Sequence, residues 1–321
     1  MKEALVKSEK ALDKVKRQYQ INQFKLQWVD NGKAGAILDK CRTSIMENKY
    51  DNLKRQLRLL MTALDDNISL SVATEKQIEE ELYTSLEPVR FSFLREDFWK
   101  GSMHVVGAPT GVGKTTTLLN MAVDFLQKKK TVLFWAREAT ASEIVRKLYV
   151  VWMAKIHKFK TSYKETYHER GQVLEWYNNH AKPYLSIVAD QPATGAALRG
   201  YINQMKAVPE LTLIDYIQIV NEEDLKLSIR ENTIRNITEV RELANESKSI
   251  VVVASQLNAE GSPRESSAIK DNAVLFIRLK RKMEDNEIDR LPFMQVNVDK
   301  NRHGPLDQYE VVFEEETGAM D

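Results

Sequence analysis

The sequence predicts an α/β fold, a mostly parallel sheet with antiparallel additions at its C-terminal end, preceded by a small all-α N-terminal region. Two observations carry that prediction. From about residue 88, short β-branched or aromatic runs alternate with helical stretches before strands begin to follow one another, the signature of βαβ units closed by an antiparallel edge. Before that point the chain is charged and heptad-patterned instead. Its 321 residues suit one large domain and a smaller one at roughly 100–200 residues per domain, so a boundary near residue 85 divides it into 1–85 and 86–321.

In the first part, Leu5, Leu12, Tyr19 and Leu26 recur every seventh residue, with Val15 and Val29 on the same stripe. That spacing makes an amphipathic helix with a narrow apolar seam. After Asn31-Gly32, the series Ile45, Leu53, Leu57, Leu60, Leu64 predicts one or two more helices. Fourteen Lys plus Arg against seven Asp plus Glu put the first sixty residues at +7, and the net charge of +1 leaves −6 for the rest. A small helical domain with a solvated basic face accounts for this. Near-neutrality overall argues against holding nucleic acid or a membrane through a general field, so any polyanion must be gripped locally.

In the second part, strands are expected at His104–Gly107, Thr131–Ala136, Tyr184–Val188, Leu211–Ile214, Ile250–Ser255, Val274–Leu279, Phe293–Asp299 and Gln308–Phe313. Between the first five lie the expected helices: Lys114–Gln127, one opened by a Thr140 to Glu143 capping box, one after Thr194, and one from Arg230 to Ser247. The single cysteine, Cys41, excludes an intrachain disulfide framework and a zinc ribbon, and points to a reducing compartment. No signal peptide or membrane span is expected, because no apolar run approaches the roughly 20 residues a bilayer needs.

The segment MHVVGAPTGVGKTTTLLN holds the sharpest signal. Ala108, Pro109, Thr110, Gly111, Val112, Gly113, Lys114 and Thr115 fit phosphate-loop spacing, with Ala at the first position, and Thr116 continues the run into a helix. The glycines let backbone N–H groups turn inward around phosphates, and the helix points its positive end at them. Lys114 is placed to reach the β- and γ-phosphates of ATP, and the Thr115 hydroxyl to ligate Mg²⁺. Asp215 ends an apolar strand, as a carboxylate of the Mg²⁺ shell does. Glu138 stands just beyond Thr131–Ala136, at the carboxyl edge where open α/β sheets bind ligands, and is the candidate to polarise an attacking water. Ser255-Gln256 is a third strand-end polar pair, with Gln256 suited to sensing a γ-phosphate.

Taken in order, Ala108–Thr115, Val132–Glu138, Leu213-Ile214-Asp215-Tyr216-Ile217-Gln218, Ala254-Ser255-Gln256-Leu257-Asn258 and Lys300-Asn301-Arg302-His303-Gly304 resemble the motifs of one family. The region from about Glu87 to Asp321 resembles the RecA-type ATPase domain of DnaB-like hexameric replicative helicases, and the chain is closer in scale to the phage type. The resemblance implies an ATP- and Mg²⁺-dependent ring-forming DNA helicase that moves on single-stranded DNA by hydrolysis at the interfaces of a homohexamer. It implies that Lys300 and Arg302 reach the neighbouring subunit's nucleotide, and that a primase and a helicase loader are partners. It also implies a bacterial or phage-infected host cytoplasm. Arg264-Glu265-Ser266-Ser267 resembles the family's Arg-Glu-Ser-Gly DNA segment, with Ser267 in the place of Gly, so Arg264, Glu265 and Ser267 are the implied DNA contacts. The alternative is a RecA-like recombination or helicase-loading ATPase that binds single-stranded DNA without unwinding it. On the residues alone, Lys300 and Arg302 also read as a basic turn before Gly304-Pro305.

Overall fold

The structure is a computed structural model, and it describes residues 88–189, 194–215, 229–258, 268–283 and 290–321. The expected N-terminal helices and the candidate DNA contacts Arg264, Glu265 and Ser267 lie outside the described residues. Leu86–Asp321 forms one compact unit.

A short antiparallel ribbon, β1 (Val89–Arg90) with β2 (Asp97–Phe98), leads into an eight-stranded sheet. Its strands are β3 (Met103–Ala108), β4 (Val132–Ala136), β5 (Leu185–Ala189), β6 (Leu211–Asp215), β7 (Ile250–Gln256), β8 (Leu275–Met283), β9 (Arg290–Asn301) and β10 (Gln308–Val312), in the order β10-β9-β8-β3-β7-β6-β4-β5. Six strands from β8 to β5 run parallel; β9 and β10 add antiparallel at the edge. All eight expected strands are present, and the parallel core with antiparallel C-terminal additions is the fold the sequence predicted. β8, the first of the closing strands, still pairs parallel with β3, and only the pairings of β9 with β8 and of β10 with β9 are antiparallel.

Continuous apolar runs make these strands because both faces of a parallel sheet are covered. β3 and β4 are buried throughout. One face packs on α1 (Lys114–Gln127) and α2 (Ala141–His157), through Leu118, Met121, Phe125, Ile144, Leu148 and Trp152. The other packs under α4 (Gly195–Ile202) and α5 (Ile229–Ser247), through Leu198, Ile237, Val240 and Leu243. Burying a side chain such as Phe125 contributes about 2–3 kcal/mol before the entropic cost of ordering it. A short α3 (Arg170–Trp176) precedes β5, and α6 (Ala268–Asn272) precedes β8.

The expected capping box opens α2: Thr140 N donates to Glu143 Oε2 at 2.8 Å and Glu143 N to Thr140 Oγ1 at 3.3 Å. Thr194 likewise caps α4, its Oγ1 accepting from Ala197 N at 3.1 Å. A buried ion pair ties α1 to α2, Lys155 Nζ to Asp124 Oδ1 at 2.9 Å, and Asp124 also accepts from Ser92 N at 2.7 Å, anchoring the entry segment. Among the described residues no helix is long and apolar enough to cross a membrane.

Candidate functional site

The carboxyl ends of β3, β4, β6 and β7 meet at one edge of the sheet, and register sets which side chains meet there. Ala136 pairs with Asp215, and Arg137 N continues the ladder to Asp215 O at 3.0 Å, so Glu138 emerges beside Asp215. Ala108 pairs with Gln256, which brings the loop after β3 alongside the end of β7. Gln256 Nε2 donates to Thr110 Oγ1 at 2.6 Å.

The loop itself turns at Gly111 (φ +77°) and Gly113 (φ +125°), values that favour glycine, and Gly113 is the N-cap of α1. No side chain caps α1 and its first turn holds no acid, so its leading N–H groups face the loop's concavity. That end of a helix is an anion site.

A cavity of about 560 Å³ opens there, lined by Thr110, Gly111, Gly113, Lys114, Thr115, Thr116, Glu138, Ala139, Lys147, Asp215 and Gln256. Its size lies within the roughly 300–1,000 Å³ typical of small-ligand sites. Of the nine residues expected to bind nucleotide, six line it. Ala108 ends β3 in the core, Pro109 follows it, and Val112 packs partly buried against the core beneath the loop.

Lys114 Nζ donates to Ala108 O at 2.8 Å and Pro109 O at 3.0 Å, so the ammonium rests on the loop's own carbonyls. Burial pushes its pKa below the usual lysine value, opposed by the negative charges of Asp215 and Glu138. Thr115 Oγ1 donates to Asp215 Oδ2 at 2.6 Å. Burial raises the Asp215 pKa. The Thr115 hydrogen bond and Lys114 oppose the rise, and Glu138 adds to it. The Thr115 hydroxyl and the Asp215 carboxylate thus meet at the cavity wall, hydrogen-bonded to each other. Lys147 was not singled out from the sequence. It sits two turns into α2 on the cavity wall, its charge favours ionised Asp215, and its ammonium lies 5.9 Å from the Tyr163 ring centroid. The capping box at Thr140, which fixes the phase of α2, is the one signal that could have found it.

Lys300 and Arg302 stand elsewhere. Asn301 pairs with Leu275, and Leu275 sits level with the start of β3, so both cations lie at the edge opposite the phosphate loop. Lys300 Nζ donates to Lys270 O at 2.9 Å and Asp271 O at 2.7 Å, and Arg302 Nη2 donates to Asp271 O at 3.2 Å. Both rest on the last carbonyls of α6, the negative end of a helix. Burial, then Arg302, lowers the Lys300 pKa.

Comparison with known proteins places this arrangement. A probable replicative DNA helicase of Trieres chinensis is 24% identical over 304 residues, covering 84% of this chain and 66% of the relative. A DnaB-like replicative helicase of Enterobacteria phage T4 is 27% identical over 174 residues, 50% of this chain and 36% of the relative. The chain therefore spans about two thirds or less of these relatives' length. Among solved structures, an isolated ATPase domain superposes with a TM-score of 0.61 at 18% identity, over 76% of this chain and 95% of that one. A DnaB-like replicative helicase, described with its interactions with primase, gives 0.62 at 18% identity, over 90% and 76%. At such identity these two establish the fold, a RecA-like ATPase core. Residues 91–321 match the model of the DnaB-like helicase C-terminal domain, and the chain belongs to that family.

Proposed function

We propose that this chain is the ATPase motor of a ring-shaped replicative DNA helicase, moving on single-stranded DNA by hydrolysing ATP at subunit interfaces. One observation carries the reading: the cavity holds the phosphate loop and two acids at one sheet edge, while Lys300 and Arg302 sit at the opposite edge of the same subunit. A head-to-tail contact between copies, repeated around a hexamer, joins the two halves into a site. The replicative names of the relatives lend no support to the recombination or loading alternative.

Each residue has a role in this reading. The open N–H groups of α1 and the loop bind the phosphates, and Lys114 exchanges its carbonyl partners for β- and γ-oxygens. The Thr115 hydroxyl and Asp215 carboxylate fit Mg²⁺, which takes one or two protein oxygens and leaves its other positions to water and phosphate. Bound there, the ion supplies charge neutralisation on the phosphate oxygens. Glu138 orients the attacking water and accepts its proton, Gln256 follows the γ-phosphate through Thr110, and Lys147 adds positive charge in cis. Lys300 and Arg302 of the adjacent subunit stabilise the charge that develops in the transition state. The helical region 1–85 and the contacts Arg264, Glu265 and Ser267 complete the assembly in this reading, with a primase and a helicase loader as partners and the cytoplasm as its place.

The test compares wild type with Lys114→Ala in forked-duplex unwinding and in ATPase stimulated by single-stranded DNA. Both activities are expected to fall by at least about a hundredfold, given the charge Lys114 brings to the phosphates. Unaltered ATPase in Lys114→Ala overturns the assignment.

A further inference from the structure

The C-terminal turn, Thr317–Met320, is buried against α1 although it lies some two hundred residues away in sequence, and it meets α1 through Asn120. Asn120 is fully buried. Its Nδ2 donates to Thr116 O at 2.9 Å and Gly318 O at 2.8 Å, and its Oδ1 accepts from Met320 N at 3.0 Å. Asparagine is a poor residue for a helix interior, so three satisfied bonds in a dry site mark a specific joint.

The joint lies under the phosphate loop. Thr116 lines the cavity, and Gly318, at φ +73°, closes on it so tightly that a Cβ would fall 2.7 Å from Thr116 Cγ2. Thr117 Oγ1 donates to Gly113 O at 2.9 Å and touches Met320 Sδ at 3.8 Å. Gly113 in turn faces Met294 and Phe313, with a notional Cβ at 3.1 Å and 3.6 Å from them. The turn is stiff in its own right: Gly318 N donates to Glu314 O at 2.7 Å, Glu314 N to Ala319 O at 3.0 Å, and Val312 N to Asp321 O at 3.0 Å. Gly113, Thr116 and Thr117 are thus each backed by a residue from the end of the chain.

We propose that Asn120 is a positioning residue of the nucleotide site, which fastens the C-terminal turn to Thr116 and so fixes the phosphate loop in its binding shape. Binding constellations need their donors held within about 0.5 Å, and the loop's other wall is open cavity. The inference rests on reading Ala108–Thr116 as a nucleotide site. Because Asn120 acts on the loop as a whole and not on the γ-phosphate, its loss weakens ATP and ADP alike.

The experiment titrates fluorescent ATP and ADP analogues into the full chain, for wild type, Asn120→Ala, Gly318→Ala and a control, Val240→Ala, cut into the core on the opposite face of the sheet. Asn120→Ala is expected to weaken both nucleotides by at least about tenfold, the scale of losing two or three buried hydrogen bonds. Val240→Ala is expected to stay within about twofold of wild type, because its cavity is remote from the loop. Wild-type affinity in Asn120→Ala, or a loss no larger than the control's, overturns the proposal. Should Asn120→Ala not fold, Gly318→Ala carries the same expectation, and unchanged affinity there overturns it equally. A wild-type chain that binds neither nucleotide overturns the reading of the site, and this inference with it.

Discussion

Arg302→Ala tests the claim on which assembly depends. In the sheet, Arg302 N bonds Val274 O, and Val274 N bonds Met103 O, so Arg302 lies level with the start of β3. The phosphate loop begins at Ala108, about 17 Å away along the strands and about 10 Å across them at ordinary strand spacing. That is well beyond an extended arginine side chain, so Arg302 cannot serve its own subunit's cavity. An arginine supplied in trans is worth about 10³-fold or more in phosphoryl transfer, and Arg302→Ala should lose activity on that scale. The decisive assay mixes two inactive variants. Lys114→Met retains its fingers but has a disabled loop, and Arg302→Ala retains its loop but offers no finger. At equal amounts, random assembly places a sound loop against a sound finger at about a quarter of heterologous interfaces. ATPase should therefore reappear at up to about a quarter of the wild-type rate, less if sites must fire in sequence. No recovery in rings shown to contain both variants refutes action in trans, as does wild-type activity in Arg302→Ala alone.

Two further outcomes follow from buried titratable groups. Asp215→Asn should raise the Tm of nucleotide-free protein, because burial opposes the carboxylate's charge, as its raised pKa records, while ATPase falls by about 10²-fold or more. The gap in Tm should close as pH falls through the raised Asp215 pKa and the wild-type carboxyl takes up its proton; a gap independent of pH refutes this account. His104 is fully buried, hydrogen-bonded at Trp99, packed 4.8 Å from the Phe98 ring and faced by His303, and burial lowers its pKa to about 4 from 6.5. Between those values only the unfolded chain takes up the proton, so stability is lost as pH falls, by about 2 kcal/mol from pH 7 to pH 5. Urea unfolding at both pH values should show His104→Phe spared most of that loss; equal losses in variant and wild type refute the assignment.

The site was legible where chemistry and chain position coincide. Lys114, Thr115, Glu138, Asp215 and Gln256 each follow an apolar run that had to be a parallel strand, and parallel strands deliver their carboxyl ends to one edge. Lys147 was not singled out, because beyond the Thr140 capping box that sets the phase of its helix, one lysine among 47 Lys and Arg carries no signal until the helix is docked. Asn120 and Gly318 were invisible for a different reason: their bond spans 198 positions, and no local pattern announces a contact of that range. Strand order was equally hidden. The closing strands read alike, yet β8 pairs with β3 across the sheet and keeps its direction, while β9 reverses and β10 turns back again. What decides this is connection length: eighteen residues separate β7 from β8, enough for a parallel crossover, whereas only six separate the defined ends of β8 and β9.

In the proposed function, the polarity of the sheet also explains what copies of the chain supply to one another. A parallel core gathers its polar strand ends at one edge, and the reversal at β9 carries Lys300 and Arg302 to the other. Within one subunit the attraction between those cations and a bound phosphate has no short path, so they rest on the carbonyls of α6 instead. A heterologous contact removes the separation and, if its rotation closes, yields a ring. Each interface then owns one complete charge set, drawn half from each partner. In that proposal, the same division reconciles a net charge of only +1 with concentrated positive charge where a phosphate is to be held.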